Sequence, residues 1–399
     1  MIFDDQHPLP DAVQLPVRSR SRPRRAGAVA AVAAVAAVGL LASACSSGDP
    51  AVVATTGSTS SRPTADGATG PSASTPATAG SAVSGAPAAL TALVAKRYGG
   101  TVPTKASAKT GTWFGTPVAV VTAGDDVTLA VGPTWRVVGG WWPSLGQKTP
   151  ELGKAGPRFV LAIGSDARKG QSLERSRADV LQVIGTDGKG GGGVMGMARD
   201  LWVPLSTGGR GKINSAMVFG GPKAQLATVK KVTGLPLEGY VVMGFSGFTT
   251  VVDDLGGIPI VVPQTVDASH ADLVIKKGPQ TLSGKQALAY ARERKTLPDG
   301  DFGRSRHQGE IILAAAVKAK LAGPQAIPAA FTSFSKVGKT SLSAEQMLTY
   351  AAGLYTLNPL QVGRDVAKGG FGTASGQSIV ILGTEAKKLF TSFRDGNLS

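Results

Sequence analysis

Apolar and polar positions divide the chain into three unlike stretches. Residues 26–44 are uncharged and mostly Ala, Val, Gly and Leu, and residues 46 to about 90 are mostly Ser, Thr, Ala, Gly and Pro with Asp49, Arg62 and Asp66 as their only charges. From Val118 the pattern changes to short β-branched runs, Val118–Val121, Val127–Val131 and Trp135–Val138, separated by Gly, Asp and Pro, which predict strands with turns. Trp141 and Trp142 close that section and read as core aromatics. Three further strands are expected at Phe159–Ile163, Val180–Ile184 and Val194–Met197.

Helical signals follow. Asn214 is a candidate N-cap for a short helix, and Gly221-Pro222 opens another that Gly234 can end. Ser246–Leu255 places Phe248, Val251, Val252 and Leu255 on one side, and Ile258–Val262 then returns as a strand. This βα alternation predicts a layered α/β fold with a central mixed sheet flanked by helices, and a small β-rich segment on its N-terminal side. Ser283-Gly-Lys-Gln286 is a capping box, so Gly284 to about Arg292 is a helix, and Asp301 can cap the next one. The expected divisions are a leader over 1–45, a disordered linker over 46–95, a β-rich accessory segment over 96–155 and a main domain over 156–399.

Composition changes this picture mainly through the leader and the charge. Among 399 residues, Arg18, Arg20, Arg22, Arg24 and Arg25 precede the apolar run, as in a signal peptide. Leu41-Ala-Ser-Ala-Cys45 resembles a lipobox with its Leu one place early, so Cys45 is the candidate lipidation site. The other reading is an uncleaved signal-anchor of 19 apolar residues, long enough to span a bilayer. Either way the remainder is exported and membrane-anchored, on the extracytoplasmic face. One Cys and three His exclude a disulfide framework and a structural zinc site. The net charge of +16, from 42 Lys and Arg against 26 Asp and Glu, calls for an anionic partner, and export argues against nucleic acid.

Two clusters carry candidate chemistry. If the strands over 159–163, 180–184 and 194–197 pair antiparallel in succession, Asp166, Asp179 and Arg199 emerge on one sheet edge. Paired carboxylates with open positions suit Mg²⁺ beside phosphates; the alternative is that each Asp caps a turn. In the second cluster Arg292 and Arg294 converge only if the helix stops near Arg292, while Arg304 and Gln308 share a helix face. Guanidinium forks suit a pyrophosphate; the alternative is a solvated face paired by Glu293, Asp299 and Asp301. The match of Gly188–Gly193 to G-x-G-x-x-G lacks a following helix and reads as a hairpin loop. Neither a G-x-S-x-G elbow nor an H-E-x-x-H motif is present.

The ordered set Gly164-Ser-Asp166, Arg177-Ala-Asp179, Ala198-Arg199-Asp200, Lys212-Ile-Asn214, Phe219-Gly-Gly-Pro222, Leu255-Gly-Gly257, Leu282-Ser-Gly284, Ala287 through Arg294 and Asp301 through Gln308 resembles the LytR-CpsA-Psr family of cell-envelope proteins. The resemblance implies an extracytoplasmic phosphotransferase that moves a glycopolymer from a polyprenyl pyrophosphate onto peptidoglycan with Mg²⁺, with pyrophosphatase activity as a further expectation. Carried over by position, it assigns Asp166 and Asp179 to the metal and Arg199 to the chemistry. Arg292, Arg294, Arg304 and Gln308 go to the pyrophosphate, with Lys212 and Arg177 beside them. Asp200 is a candidate acceptor base or an anchor for Arg199. The family commonly has Pro at Ala198 and Arg at His307, which implies one cation fewer, with Arg306 as its neighbour. The helices over 246–255 and 304–320 are expected to line an apolar cleft for the lipid. A non-catalytic polyprenyl-phosphate binder and a membrane-linked regulator are the competing classes. The glycopolymer and the oligomeric state are not specified by these residues; the Ala/Gly/Val-rich composition suggests an actinobacterial host.

Overall fold

In the computed structural model, which describes residues 82–399 apart from Lys169, the chain enters on helix α1 (Ala88–Arg97). It continues as an antiparallel meander of β1 (Ser107–Trp113), β2 (Thr116–Ala123), β3 (Asp126–Val131) and β4 (Arg136–Trp141). Cys45 and the rest of the leader lie outside the described residues, as does most of the expected linker. Residues 83–95, which composition assigns to that linker, are folded. Leu90 and Val94, four apart on one face of α1, pack with buried Val83 on Ala119, Val121 and Ala130. One helical face of Leu and Val is diluted by its Ala-rich surroundings, so averaged composition hides it.

The central sheet has six strands. β5 (Arg158–Ser165), β6 (Ala178–Thr186) and β7 (Gly192–Met197) pair antiparallel in succession, and Asp187–Gly191 forms the hairpin turn read from the glycine run. A small hairpin of β8 (Trp202–Pro204) and β9 (Arg210–Lys212) leads into α2 (Ser215–Thr233), which returns the chain to β10 (Gly239–Gly244), parallel to β5. After α3 (Phe245–Asp254) come four short strands, β11 (Ile258–Val262), β12 (Val266–Ala268), β13 (Leu273–Ile275) and β14 (Gly278–Leu282). Helices α4 (Gly284–Arg292), α5 (Asp301–Ala322) and α6 (Ile327–Val337) precede edge strand β15 (Gly338–Thr340). The chain finishes through α7 (Ala344–Thr356), β16 (Val362–Ala367), the hairpin β17 (Gly369–Ala374) and β18 (Gln377–Leu382), and α8 (Thr384–Ser392). The sheet order is β15-β10-β5-β6-β7-β16, with parallel pairs β10/β5 and β16/β7 and the rest antiparallel, so the sheet is mixed.

Alternation along the central strands feeds two cores. Phe159, Leu161, Ile163, Leu181 and Val183 face one side with α2 and α8, whereas Val160, Ile184 and Val194 face the other with α4 to α7. Both faces of these strands are covered, hence their near-continuous apolar runs. The second core does not stop at residue 155. Trp113, Val118, Val120 and Leu129 of the meander pack on Phe331, Phe334, Met347 and Leu348, and the Trp113 indole donates to the Leu342 carbonyl at 2.9 Å. The meander is therefore one more layer over α6 and α7. Trp142 is fully buried and donates to Thr128, as a core aromatic should.

Some local readings differ in detail. The Ser283 box forms as read, and Ser343 with Gln346 makes a second one on α7. Asn214 lies at the start of α2 but its side chain caps nothing. The two helices expected around Gly221-Pro222 are present within α2, separated at Gly221, whose φ of 71° and ψ of −171° are not helical and are open to glycine, and Gly234 ends the second as read. Asp301 is the first residue of α5 and caps no N–H there; its carboxylate is taken by arginines.

Candidate active site at the sheet edge

The antiparallel run β5-β6-β7 brings Asp166, Asp179 and Arg199 to one edge. Register shifts between Gly164, opposite Val180, and Ser165, opposite Ala178, which leaves Asp179 as the extra residue of a bulge. Bulges re-aim a side chain at the end of a strand. Here the Asp179 carboxylate accepts from the Arg199 guanidinium at 2.6 Å. Burial pulls the Arg199 guanidinium down, but Asp179, Asp200 and Asp301 together hold it above its usual value. Asp166 accepts the Arg177 backbone N–H at 2.8 Å through one carboxylate oxygen. Asp200 lies 3.2 Å from Lys212 Nζ and 3.9 Å from both Arg199 and Arg294. Three cations lie within ion-pair distance of the Asp200 carboxylate, Arg199 among them as the anchor reading requires.

The arginine cluster is built at the junction of α4 and α5. Helix α4 ends at Arg292 because Glu293 turns extended, with ψ 135°, so Arg292 and Arg294 serve one cavity instead of lying about 200° apart on a continuing helix. Arg292 lies over the Phe245 ring, 4.6 Å from its centroid. Arg294 donates to Asp301 at 3.3 Å, and Arg304 is ion-paired with the same carboxylate oxygen at 3.0 Å. Arg304 and Asp301 are buried, whereas Arg292 and Arg294 are exposed, and Asp301 does pair as the competing reading required. Burial draws the Arg304 guanidinium below its usual value against the pull of Asp301, and the group stays charged at any working pH. Gln308 donates to the Ala291 carbonyl at 3.2 Å and accepts from Gln182 at 3.4 Å. Gln182 also donates to the Ser305 carbonyl, and Gly196 lets α5 close on the sheet: a Cβ there would stand 2.3 Å from Ser305 Oγ.

Two cavities meet at these residues. One, of about 390 Å³, runs between α3, α4, α5 and strand β10, with Val241, Met243, Phe248, Val251, Ile311 and Ile312 as walls and Asp179, Arg199, Arg292, Arg294, Arg304 and Gln308 among its polar lining. Residues of the two helices expected to bound a lipid cleft do line it, joined by β10 and by Phe334 of α6. The other, of about 660 Å³, is polar and carries Arg177, Asp200, Lys212, Arg210, Trp202 and the exposed Phe219 and Phe371. Arg199 and Arg294 line both. Asp166 lines neither.

Asp166 and Asp179 are the residues that would hold a divalent cation, and Asp179 is at the same time the ion-pair partner of Arg199. Asp166 and Asp179 leave neighbouring positions of one sheet edge and each spends one oxygen on a protein donor. Among the described residues no group of three or more His, Cys, Asp or Glu gathers around them. Position 307 is not part of the site. His307 is buried, stacked 3.9 Å from the Tyr290 ring with 12° between planes, so the expected loss of a pocket cation does not arise there. Arg306 is held by Asp299 at 2.8 Å and replaces nothing. Gln182 and His270 are site neighbours that the sequence does not mark, apart from the signal of a Gln within the apolar run Val180–Ile184; Glu293 and Asp301 are marked there only as ion-pair partners of the arginines.

A family model described as the LytR_cpsA_psr family matches residues 144–387. The polyisoprenyl-teichoic acid–peptidoglycan teichoic acid transferase TagU of Bacillus mycoides is 32% identical over 199 residues, covering 49% of this chain and 63% of that protein. The transferase of the same description named TagV, from Bacillus subtilis, is 37% identical over 170 residues, 40% of this chain and 43% of its own. Regulatory protein MsrR of Staphylococcus aureus is 36% identical over 156 residues, 38% and 46%. The chain thus spans less than two thirds of the length of these relatives. The crystal structure of B. subtilis TagV superposes with a TM-score of 0.51 at 26% identity, over 61% of this chain and 98% of that one. TagT bound to LIIa-WTA gives 0.52 at 23% identity over 60% and 91%, a likeness of fold. The matched region holds the central sheet, the arginine cluster and both cavities, and the chain belongs to the LytR_cpsA_psr family.

Proposed function

We propose that the protein is an extracytoplasmic, membrane-anchored phosphotransferase that moves a glycopolymer from a polyprenyl pyrophosphate onto peptidoglycan. The observation that carries this reading is the meeting of an apolar cavity and a polar groove at Arg199 and Arg294. The first suits an isoprenoid chain, the second suits sugars, and the arginines between them suit the pyrophosphate that joins the two. Among the described residues no helix is long and apolar enough to cross a membrane, so anchoring is assigned to the leader and Cys45.

Phosphoryl transfer needs positioning and charge neutralisation more than covalent help. The acceptor hydroxyl oxygen forms a bond to the sugar-side phosphorus, the phosphoanhydride bond breaks, polyprenyl phosphate leaves and the hydroxyl proton passes to solvent. Arg292, Arg294 and Arg304 hold the phosphate oxygens, with Gln308 fixing the loop that carries the first two. Arg199, oriented by Asp179, faces the charge that develops on the transferring group. Lys212 and Arg177 attract the glycopolymer side of the groove. Asp166 and Asp179 would hold Mg²⁺, which supplies further neutralisation of phosphate charge.

The test is a transfer assay with the full chain, a pyrophosphate-linked lipid donor and peptidoglycan. Arg199→Ala and chelation of Mg²⁺ should each abolish product while donor binding persists. Arg199→Ala matching the wild type would overturn the reading, and donor binding without turnover in the wild type would favour a sequestering role.

A further inference from the structure

His270 stands in the one-turn segment Ser269–Ala271 between β12 and β13, on the wall of the apolar cavity. Its Nδ1 lies 3.2 Å from the Glu293 carboxylate. The Glu293 side chain is 3% exposed and that of His270 is 27%. Glu293 is the residue between Arg292 and Arg294, and its second oxygen accepts the backbone N–H groups of Arg294 and Thr296 at 2.8 and 3.0 Å. Burial pushes the Glu293 carboxyl up, but the N–H groups of Thr296 and Arg294 with His270 outweigh it and hold it below its usual value. An ionised carboxylate only accepts hydrogen bonds, so Nδ1 carries the proton and Nε2 is the ring nitrogen left for the cavity.

We propose that His270, oriented by Glu293, contacts the lipid-side phosphate of the donor and takes up a proton as that phosphate binds. The proposal rests on the reading of the cavity as an isoprenoid pyrophosphate site. Its side is set by lining: His270 borders the apolar cavity and not the polar groove, so the phosphate within its reach is the one bonded to the lipid. Ionised phosphate oxygens accept hydrogen bonds and do not donate, so Nε2 meets one only in the doubly protonated ring. The surroundings couple that proton to the ligand. Arg292, Arg294, Lys295, Arg304 and Arg199 line the same cavity and oppose an imidazolium, with Lys276 and Lys277 beyond β13. Glu293 favours it at 3.2 Å, Asp267 on β12 and Asp272 just before β13 flank it in the chain, and Asp179 is committed to Arg199. A bound diphosphate neutralises the cations and turns this balance toward protonation.

The test is calorimetry of the full chain in detergent with geranylgeranyl diphosphate and with geranylgeranyl monophosphate, in Mg²⁺, at neutral pH in two buffers of different ionisation enthalpy. The wild type should take up protons with both probes, since each carries a lipid-side phosphate. His270→Gln should bind about tenfold more weakly and lose the uptake, as expected for loss of one charge-assisted hydrogen bond. Glu293→Gln keeps the ring and should diminish the uptake. Equal uptake in wild type and His270→Gln, or binding by the wild type with no buffer dependence, would overturn the proposal while leaving the transfer reading intact. No binding of either probe by the wild type would remove both.

Discussion

Arg199 donates to Asp179 across 2.6 Å, from the end of β7 to the bulge of β6, so a residue expected to hold metal also aims the arginine expected to act on phosphate. The pair is a hinge between charge neutralisation and positioning. Arg199→Lys keeps the charge but not the planar fork, and should lower kcat for transfer by roughly 10²–10³. Initial rates at saturating donor, with a melting curve on the same preparation, check this. A loss of melting temperature in proportion to the loss of rate would point to a merely structural pair.

Asp301 and Arg304 are both buried, and Asp301 Oδ2 has no hydrogen-bond partner among the described residues. Asp301→Ala leaves the Arg304 guanidinium buried without its nearest counter-charge. Unfolding free energy should fall by about 3–5 kcal/mol, read from urea denaturation. Donor affinity should fall with it, because Arg294 loses the same partner.

Gly196 is a packing contact between sheet and helix. Its Cβ would meet Ser305 Oγ at 2.3 Å and the Gln182 amide just beyond, so Gly196→Ala must push α5 outward. The expected cost is about 1–3 kcal/mol. Since Arg304 and Gln308 ride on α5, KM for the lipid donor should rise as well, which a mutation confined to the opposite core, such as Leu389→Ala, should not reproduce.

His307 links stability to acid. Burial lowers its imidazole from the ordinary value of 6.5, so the native state resists the proton that the unfolded chain accepts. The contribution is complete above pH 6.5 and is lost as pH falls from there toward the native value. His307→Phe retains a ring for Tyr290 to stack on and removes the titration. Denaturation at about pH 7.5 and 5.5 should show a smaller drop in the variant than in the wild type; equal drops would assign the acid limb to other groups.

The parts of the site that were legible were those whose chemistry is local. The Ser283 box announces α4, and an Arg four residues before a Gln marks one face of α5. The order of motifs carried the rest by resemblance. What misled was also local: Asn214 and Asp301 are good caps in isolation, but the backbone amides they would cap lost them to tertiary partners or to none.

By itself the sequence determined the apolar runs that become the central strands, the ends of the helices, the excess of cations and the two carboxylates at the ends of β5 and the start of β6. These follow from period and propensity, which act over a few residues. Only the tertiary structure decided that Asp179 sits in a bulge against Arg199, that Glu293 ties His270 to the arginine loop, and that an apolar cavity and a polar groove share Arg199 and Arg294. Each of these depends on segments 20 to 130 residues apart arriving together, and the free energy that brings them there is burial of apolar surface, which has no direction and writes no motif.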